Sequence, residues 1–252
     1  MKRDVNNIPV LIKEIFILTP FQHLMGTLFI NVLNRIKVEG REIVKELPDK
    51  NVLFVSNHQT YFMEGIAMMV EFDRIRQPLK HWCWKANTGN CYYIVAMETA
   101  QKKGMIHRII EWGGAVTVTR TWRKADQDLE DAEICMHQVA NDQGKVISAI
   151  DDGWVITFPQ GTTTPFTKGR KGTAHIIKMS NCTVVPVVVE GFSDAFHKSK
   201  PCWPTKLRSE LKITFKNPLD INYDEPEEDI INQIMDSIEQ SERFRTLSEN
   251  RN

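Results

Sequence analysis

Apolar positions along the chain fall into two kinds of run, and the kinds alternate. Short, dense, β-branched runs occupy residues 51–56, 115–119, 154–158, 183–189 and 211–215. Each has strand length, and most lack the polar alternation of a half-exposed strand, which predicts strands buried on both faces. Between them, apolar residues recur at helical spacing over 63–75, 126–143, 172–179 and 227–241, with a second short helix over 145–152. The stretch 82–107 is broken by Gly89 and Gly104 and reads as helix with loops. Alternating strands and helices predict a single α/β domain around a central mixed sheet flanked by helices.

The N-terminal pattern is different. Residues 15–34 carry no formal charge. Thr19 suits an N-cap, Pro20 a first helical position, and Gln22 completes a capping box. Phe21, Leu24, Met25, Leu28 and Val32 then follow at helical spacing, with most of Gln22, His23, Thr27, Asn31 and Asn34 on the other face. Such an amphipathic helix can lie in a headgroup layer, and the same pattern also fits a helix packed on its own domain. The organisation expected is a membrane-associating helical segment over 1–38, a catalytic-size domain over 39–241 and a polar tail over 242–252.

Charge narrows the partners. In 252 residues, 32 Lys and Arg balance 32 Asp and Glu. A dominant basic field, and with it a nucleic-acid partner, is not expected. The five cysteines, Cys83, Cys91, Cys135, Cys182 and Cys202, form no CxxC pair or Cys/His ligand spacing. They read as reduced thiols, and no metal site is expected.

Three constellations could carry chemistry. His58 follows the first buried strand, and Glu64 comes six residues later. An imidazole there can take a proton from a hydroxyl, and the carboxylate can hold its other nitrogen. Gly114 to Arg120 is a strand ending in a guanidinium, a fork for phosphate or carboxylate. Phe158-Pro159-Gln160-Gly161-Thr162-Thr163-Thr164 is a tight polar loop at a strand end, suited to an oxyanion. Beyond it, Lys168-Gly169-Arg170-Lys171-Gly172 sets three cations before a helix. Read singly, these are also a helix cap, a surface charge, a turn and a solvated loop. A fourth block, Val185-Pro186-Val187, is too apolar for chemistry and reads as core.

In this order the blocks resemble the glycerolipid acyltransferases, the lysophosphatidic acid acyltransferase superfamily. That family carries Asn-His-x4-Asp, Gly-x-x-Phe-Ile-Asp-Arg, Phe-Pro-Glu-Gly-Thr-Arg and Val-Pro-Val blocks. They align with Asn57-His58, Gly114 to Arg120, Phe158 to Thr163 and Val185-Pro186-Val187, over roughly residues 40 to 220.

The resemblance implies an O-acyltransferase of membrane lipid synthesis, at the cytoplasmic face of the membrane. His58 would deprotonate the free hydroxyl of a lysophospholipid, which attacks the thioester of acyl-CoA or acyl-acyl carrier protein; no other cofactor is implied. Asn57, Arg120, Gln160, Gly161 and Thr162 would hold the acceptor, with Lys85, Lys168 and Arg170 as further phosphate ligands. The sequence departs from the family at four points. Met63 stands where the aspartate falls, and Glu64, one residue on and one methylene longer, is expected to replace it. Thr119, Gln160 and Thr163 replace charged residues of the second and third blocks. An amino-acid lysolipid of the glycine or ornithine type is therefore an alternative acceptor. An inactive lipid-binding relative and a thioester hydrolase are alternatives of other classes.

Overall fold

A computed structural model describes residues 3–13, 26, 28, 30, 32–76, 90–96, 112–119, 129–198, 200 and 203–249. Seven strands form one sheet: β1 (Arg35–Glu39), β2 (Val52–Ser56), β3 (Cys91–Ala96), β4 (Ala115–Val118), β5 (Trp154–Thr157), β6 (Thr183–Glu190) and β7 (Glu210–Phe215). Their spatial order is β1-β7-β6-β2-β5-β3-β4. The five strands from β6 to β4 run parallel. β7 is antiparallel to β6, and β1 is parallel to β7. The sheet is mixed, as the alternation of elements predicts.

The central strands are apolar at nearly every position because both faces are covered. Along β2, Val52 and Phe54 join one core cluster, with the helix α1 (Met63–Arg76), while Leu53 and Val55 join the other. This is the period of two of a pleated strand. The second face is covered by α2 (Leu129–Asp152), α3 (Lys171–Ser180) and α4 (Glu227–Ser237). Pro186 is tolerated inside β6 because it lies just past the end of β7. Its carbonyl accepts from the Lys216 N–H, and the proline's missing donor interrupts no regular rung.

Several expectations are corrected. The stretch 82–107 contains the strand β3, where Cys91 and Tyr92 are buried and pair with β5. β1 begins at Arg35, so the boundary expected between 38 and 39 falls inside the sheet. Residues near the N-terminus also pack on the domain. Asn6 Nδ2 donates to the Ala115 carbonyl at 3.0 Å, and Lys13 and Asp4 form a fully buried ion pair at 3.0 Å beneath Tyr92. The two helices expected over 126–143 and 145–152 are one, running through Gly144, whose Cα faces open space. The polar tail contains a further helix, Glu242–Glu249.

Most of the predicted helix that starts at Thr19 lies outside the described residues. Of its apolar face, Leu28 and Val32 are exposed, whereas Ile30 is buried. No helix among the described residues is long and apolar enough to cross a membrane.

Candidate active site

The parallel strands end on one edge of the sheet, and the site is built in the crevice beyond those ends, the usual position for ligands in such folds. Where β2 runs out, Asn57 extends its pairing with a side chain. Its Nδ2 donates to the Val189 carbonyl at 2.9 Å, and its Oδ1 accepts from the Val189 N–H at 2.8 Å. The amide replaces a strand rung and fixes the backbone from which His58 projects. Asn57 is therefore a positioning residue rather than the acceptor ligand expected from the sequence. Replacing it with alanine leaves two buried backbone groups of Val189 without partners, at about 1–3 kcal/mol each. The expected outcome for Asn57→Ala is a loss of about 2–6 kcal/mol in stability, measured by urea unfolding.

His58 and Glu64 meet as expected. The His58 Nδ1 lies 2.5 Å from Glu64 Oε1, with the carboxylate fully buried and the imidazole 17% exposed. Glu64 sits in the first turn of α1, where the helix dipole favours a negative group. It accepts from the backbone N–H groups of Gln59 at 2.9 Å and Thr60 at 3.1 Å, and from the Thr60 hydroxyl. Thr60 also accepts from the Met63 N–H at 3.0 Å, so it caps the helix and braces the carboxylate together. Burial alone would raise the Glu64 pKa. Attraction to His58 and hydrogen bonds from His58 and Thr60 outweigh it and hold the carboxyl below the usual glutamate value. An ionised Glu64 can only accept, so the proton of the pair sits on Nδ1 and Nε2 is the ring's basic atom. Phe158, at the end of β5, stacks on the imidazole with centroids 4.3 Å apart and holds the ring plane.

A cavity of about 730 Å³ opens at this edge, with His58, Gly161, Lys168 and Arg170 in its wall. Its apolar side is formed by residues such as Phe62, Tyr93, Ile94 and Ile176. The remaining expected ligands divide by position. Gln160 is buried beside the loop it shapes, its Nε2 donating to the carbonyls of Thr164 and Thr167 and to the Gln240 side chain. Thr162 pairs within the loop with Thr164 and does not line the cavity. The Gly161 N–H donates to the Phe158 carbonyl at 2.9 Å, so it closes a turn and is not directed at an oxyanion. Gly161 itself is required: at φ +62°, an added Cβ would lie 2.7 Å from the Arg170 Nε. Arg170 in turn donates from Nε to the Gln160 carbonyl at 3.1 Å. Arg120 and Lys85 lie outside the described residues.

Sequence reasoning misses Tyr93, because its strand is not recognised, and Asp142. The Asp142 carboxylate is almost fully buried on α2, and Oδ2 accepts from both the Thr119 N–H at 2.8 Å and the Thr119 hydroxyl at 2.7 Å. It brings an acid to the end of β4, where the second block has lost one. A lone acid inside a helical stretch gives no signal in the sequence. Among the described residues, no group of three or more His, Cys, Asp or Glu could hold a metal ion.

Comparison with known proteins adds two findings. The family described as Acyltransferase matches residues 35–190, the span from β1 to the end of β6. The fold is similar to the crystal structure of the 1-acyl-sn-glycerophosphate (LPA) acyltransferase PlsC from Thermotoga maritima. The TM-score is 0.58 at 16% identity, covering 92% of this chain and 79% of that one. No curated protein matches.

Proposed function

This chain belongs to the acyltransferase family, and from that premise we propose that it moves a fatty acyl group from acyl-CoA or acyl-acyl carrier protein to the free hydroxyl of a lysophospholipid of the lysophosphatidate type. The observation that carries this reading is the His58–Glu64 pair, placed so that the imidazole faces a largely apolar cavity. His58 Nε2 takes the proton from the acceptor hydroxyl as its oxygen attacks the thioester carbonyl. The tetrahedral intermediate collapses with cleavage of the C–S bond. The leaving thiolate recovers the proton from the imidazolium, so no covalent enzyme intermediate is needed. Glu64 keeps the ring in the reactive tautomer and stabilises its transient positive charge. Lys168 and Arg170 line the cavity and favour an anionic headgroup over a neutral one, while Lys171 beside them is paired with Glu228 at 3.0 Å. The membrane is where such acceptors reside, and the cytoplasmic face is where both thioester donors are supplied.

The intact His58–Glu64 pair supports turnover over a purely lipid-binding role. The test is incubation of the purified protein with labelled acyl-CoA and a panel of lysolipids. Labelled phosphatidate is the expected product. Labelled glycine or ornithine lipid would assign the other acceptor class, and free fatty acid made without any acceptor would assign a hydrolase.

A further inference from the structure

The catalytic edge of the sheet carries a second surface feature, in the connection between β6 and β7. β6 ends beside the His58 loop, because Gln59 Oε1 accepts from the Phe192 N–H at 2.9 Å immediately after that strand. β7 runs back antiparallel, and β1 starts opposite its first residue, Arg35 against Glu210. The β6–β7 connection and the residues entering β1 therefore lie at the same edge as the mouth of the cavity. They also touch each other: the Arg208 N–H donates to the Leu33 carbonyl at 2.7 Å, and the Ser209 N–H to Asn34 Oδ1 at 3.0 Å.

What they present to solvent is unusual for a surface. Trp203 is 60% exposed and Leu207 54%; across the contact, Leu28 is 40% and Val32 66% exposed. Between Asp194 and Glu210 the chain holds Lys198, Lys200, Lys206 and Arg208 and no acid. All four cations are exposed, and none pairs with a carboxylate among the described residues. The described residues of the connection are tied down by backbone hydrogen bonds. His197 N–H donates to the Trp203 carbonyl, and both Thr205 and Lys206 donate to the Ala195 carbonyl.

We infer that Lys198, Lys200, Trp203, Lys206, Leu207 and Arg208 of this connection, together with Leu28 and Val32, form a docking surface for an anionic lipid bilayer, which sets the mouth of the catalytic cavity against the headgroups. An exposed indole beside aliphatic side chains fits the interfacial layer, where one end is apolar and the other wet. These four cations complement an anionic leaflet, Lys200 while lying 5.5 Å from the Trp203 ring, each strengthening binding about fivefold near the surface. An acidic carrier protein would also answer the charge, but it gives no reason to expose Trp203, Leu207, Leu28 and Val32 together. The functional sense of this surface rests on the lipid acceptor proposed above; the binding itself does not.

The experiment compares full-length protein with a variant carrying Lys198, Lys200, Lys206 and Arg208 all changed to Ala, and with a Trp203→Ala, Leu207→Ala double variant. Each is co-sedimented with vesicles of phosphatidylcholine alone and of phosphatidylcholine with one-third phosphatidylglycerol. Wild type is expected to prefer the anionic vesicles by about a hundredfold or more. The charge variant should lose that preference, and the apolar variant should weaken binding to both kinds about tenfold or more, with unchanged urea midpoints for both. Equal wild-type binding to the two kinds of vesicle, or an undiminished preference in the charge variant, would overturn the inference. So would a charge variant that keeps its vesicle binding and instead loses binding to acyl carrier protein, measured in parallel by pull-down. Vesicle binding of this pattern in a protein without acyl transfer would leave the surface standing and remove the proposed activity.

Discussion

His58→Ala is expected to lower acyl transfer by about a thousandfold or more, within the range that a positioned general base contributes. The reason is geometric. The imidazole is held from three sides: Glu64 on Nδ1, Phe158 on one ring face, and the backbone fixed by Asn57. That leaves Nε2 to act in the cavity, with no reorganisation needed during reaction. The ring is partly exposed, so alanine opens the cavity wall rather than the core, but it also takes a partner from the fully buried Glu64 carboxylate, so the urea midpoint should fall while the protein stays folded under assay conditions. A steady-state assay with saturating donor separates the two effects: kcat should collapse while the folded fraction is unchanged.

The second large effect belongs to Glu64. Glu64→Gln keeps the volume but removes the charge and turns one acceptor oxygen into a donor. Four donors now converge on the carboxylate, from His58, Gln59 and twice from Thr60. An amide cannot accept them all, and its own N–H groups face donors. We expect transfer to fall about a hundredfold or more, as expected when the group fixing a catalytic tautomer is neutralised. Stability should fall too, because a buried donor without a partner costs about 1–3 kcal/mol. The pH dependence has a definite sign. A carboxyl whose pKa is lowered on folding contributes stability that is present above the unfolded glutamate value, about 4.3. That contribution is lost as pH falls through the lower folded value. Wild type should therefore lose stability over that acid range, and Glu64→Gln should lose less of it. Glu64→Asp keeps the charge but shortens the reach by one methylene. It should recover part of the stability and little of the rate.

The central strands and helices are legible because burial on both sides writes itself into composition. Val52 to Ser56 and Val184 to Val189 can be little else. β1 is not legible, because an edge strand alternates polar and apolar residues, as in Arg35 to Glu39, and a short alternating run beside an uncharged helix-like segment carries no distinct signal. β3 is hidden by aromatic residues and glycines on either side, which fit helix and loop equally well.

At the site, the His58–Glu64 pairing can be read because one short connection joins His58 to the first turn of α1, so local geometry nearly decides whether they meet. The role of Asn57 cannot be read, since it depends on Val189, far away in sequence, and that of Gln160 rests in part on the equally distant Gln240. Both were expected to touch substrate, and both instead hold backbone or loop in place. Asp142 marks the same limit from the other side. It reaches Thr119 only because α2 packs along β4.

In this mechanism His58 activates a lipid hydroxyl for attack on an acyl thioester. The most direct measurement follows label from radiolabelled acyl-CoA into extracted lipid, with and without lysophosphatidate, for wild type and His58→Ala side by side. Acceptor-dependent diacyl product is expected from wild type and background from the variant. Undiminished transfer by His58→Ala, or label released as free fatty acid without regard to acceptor, would contradict it.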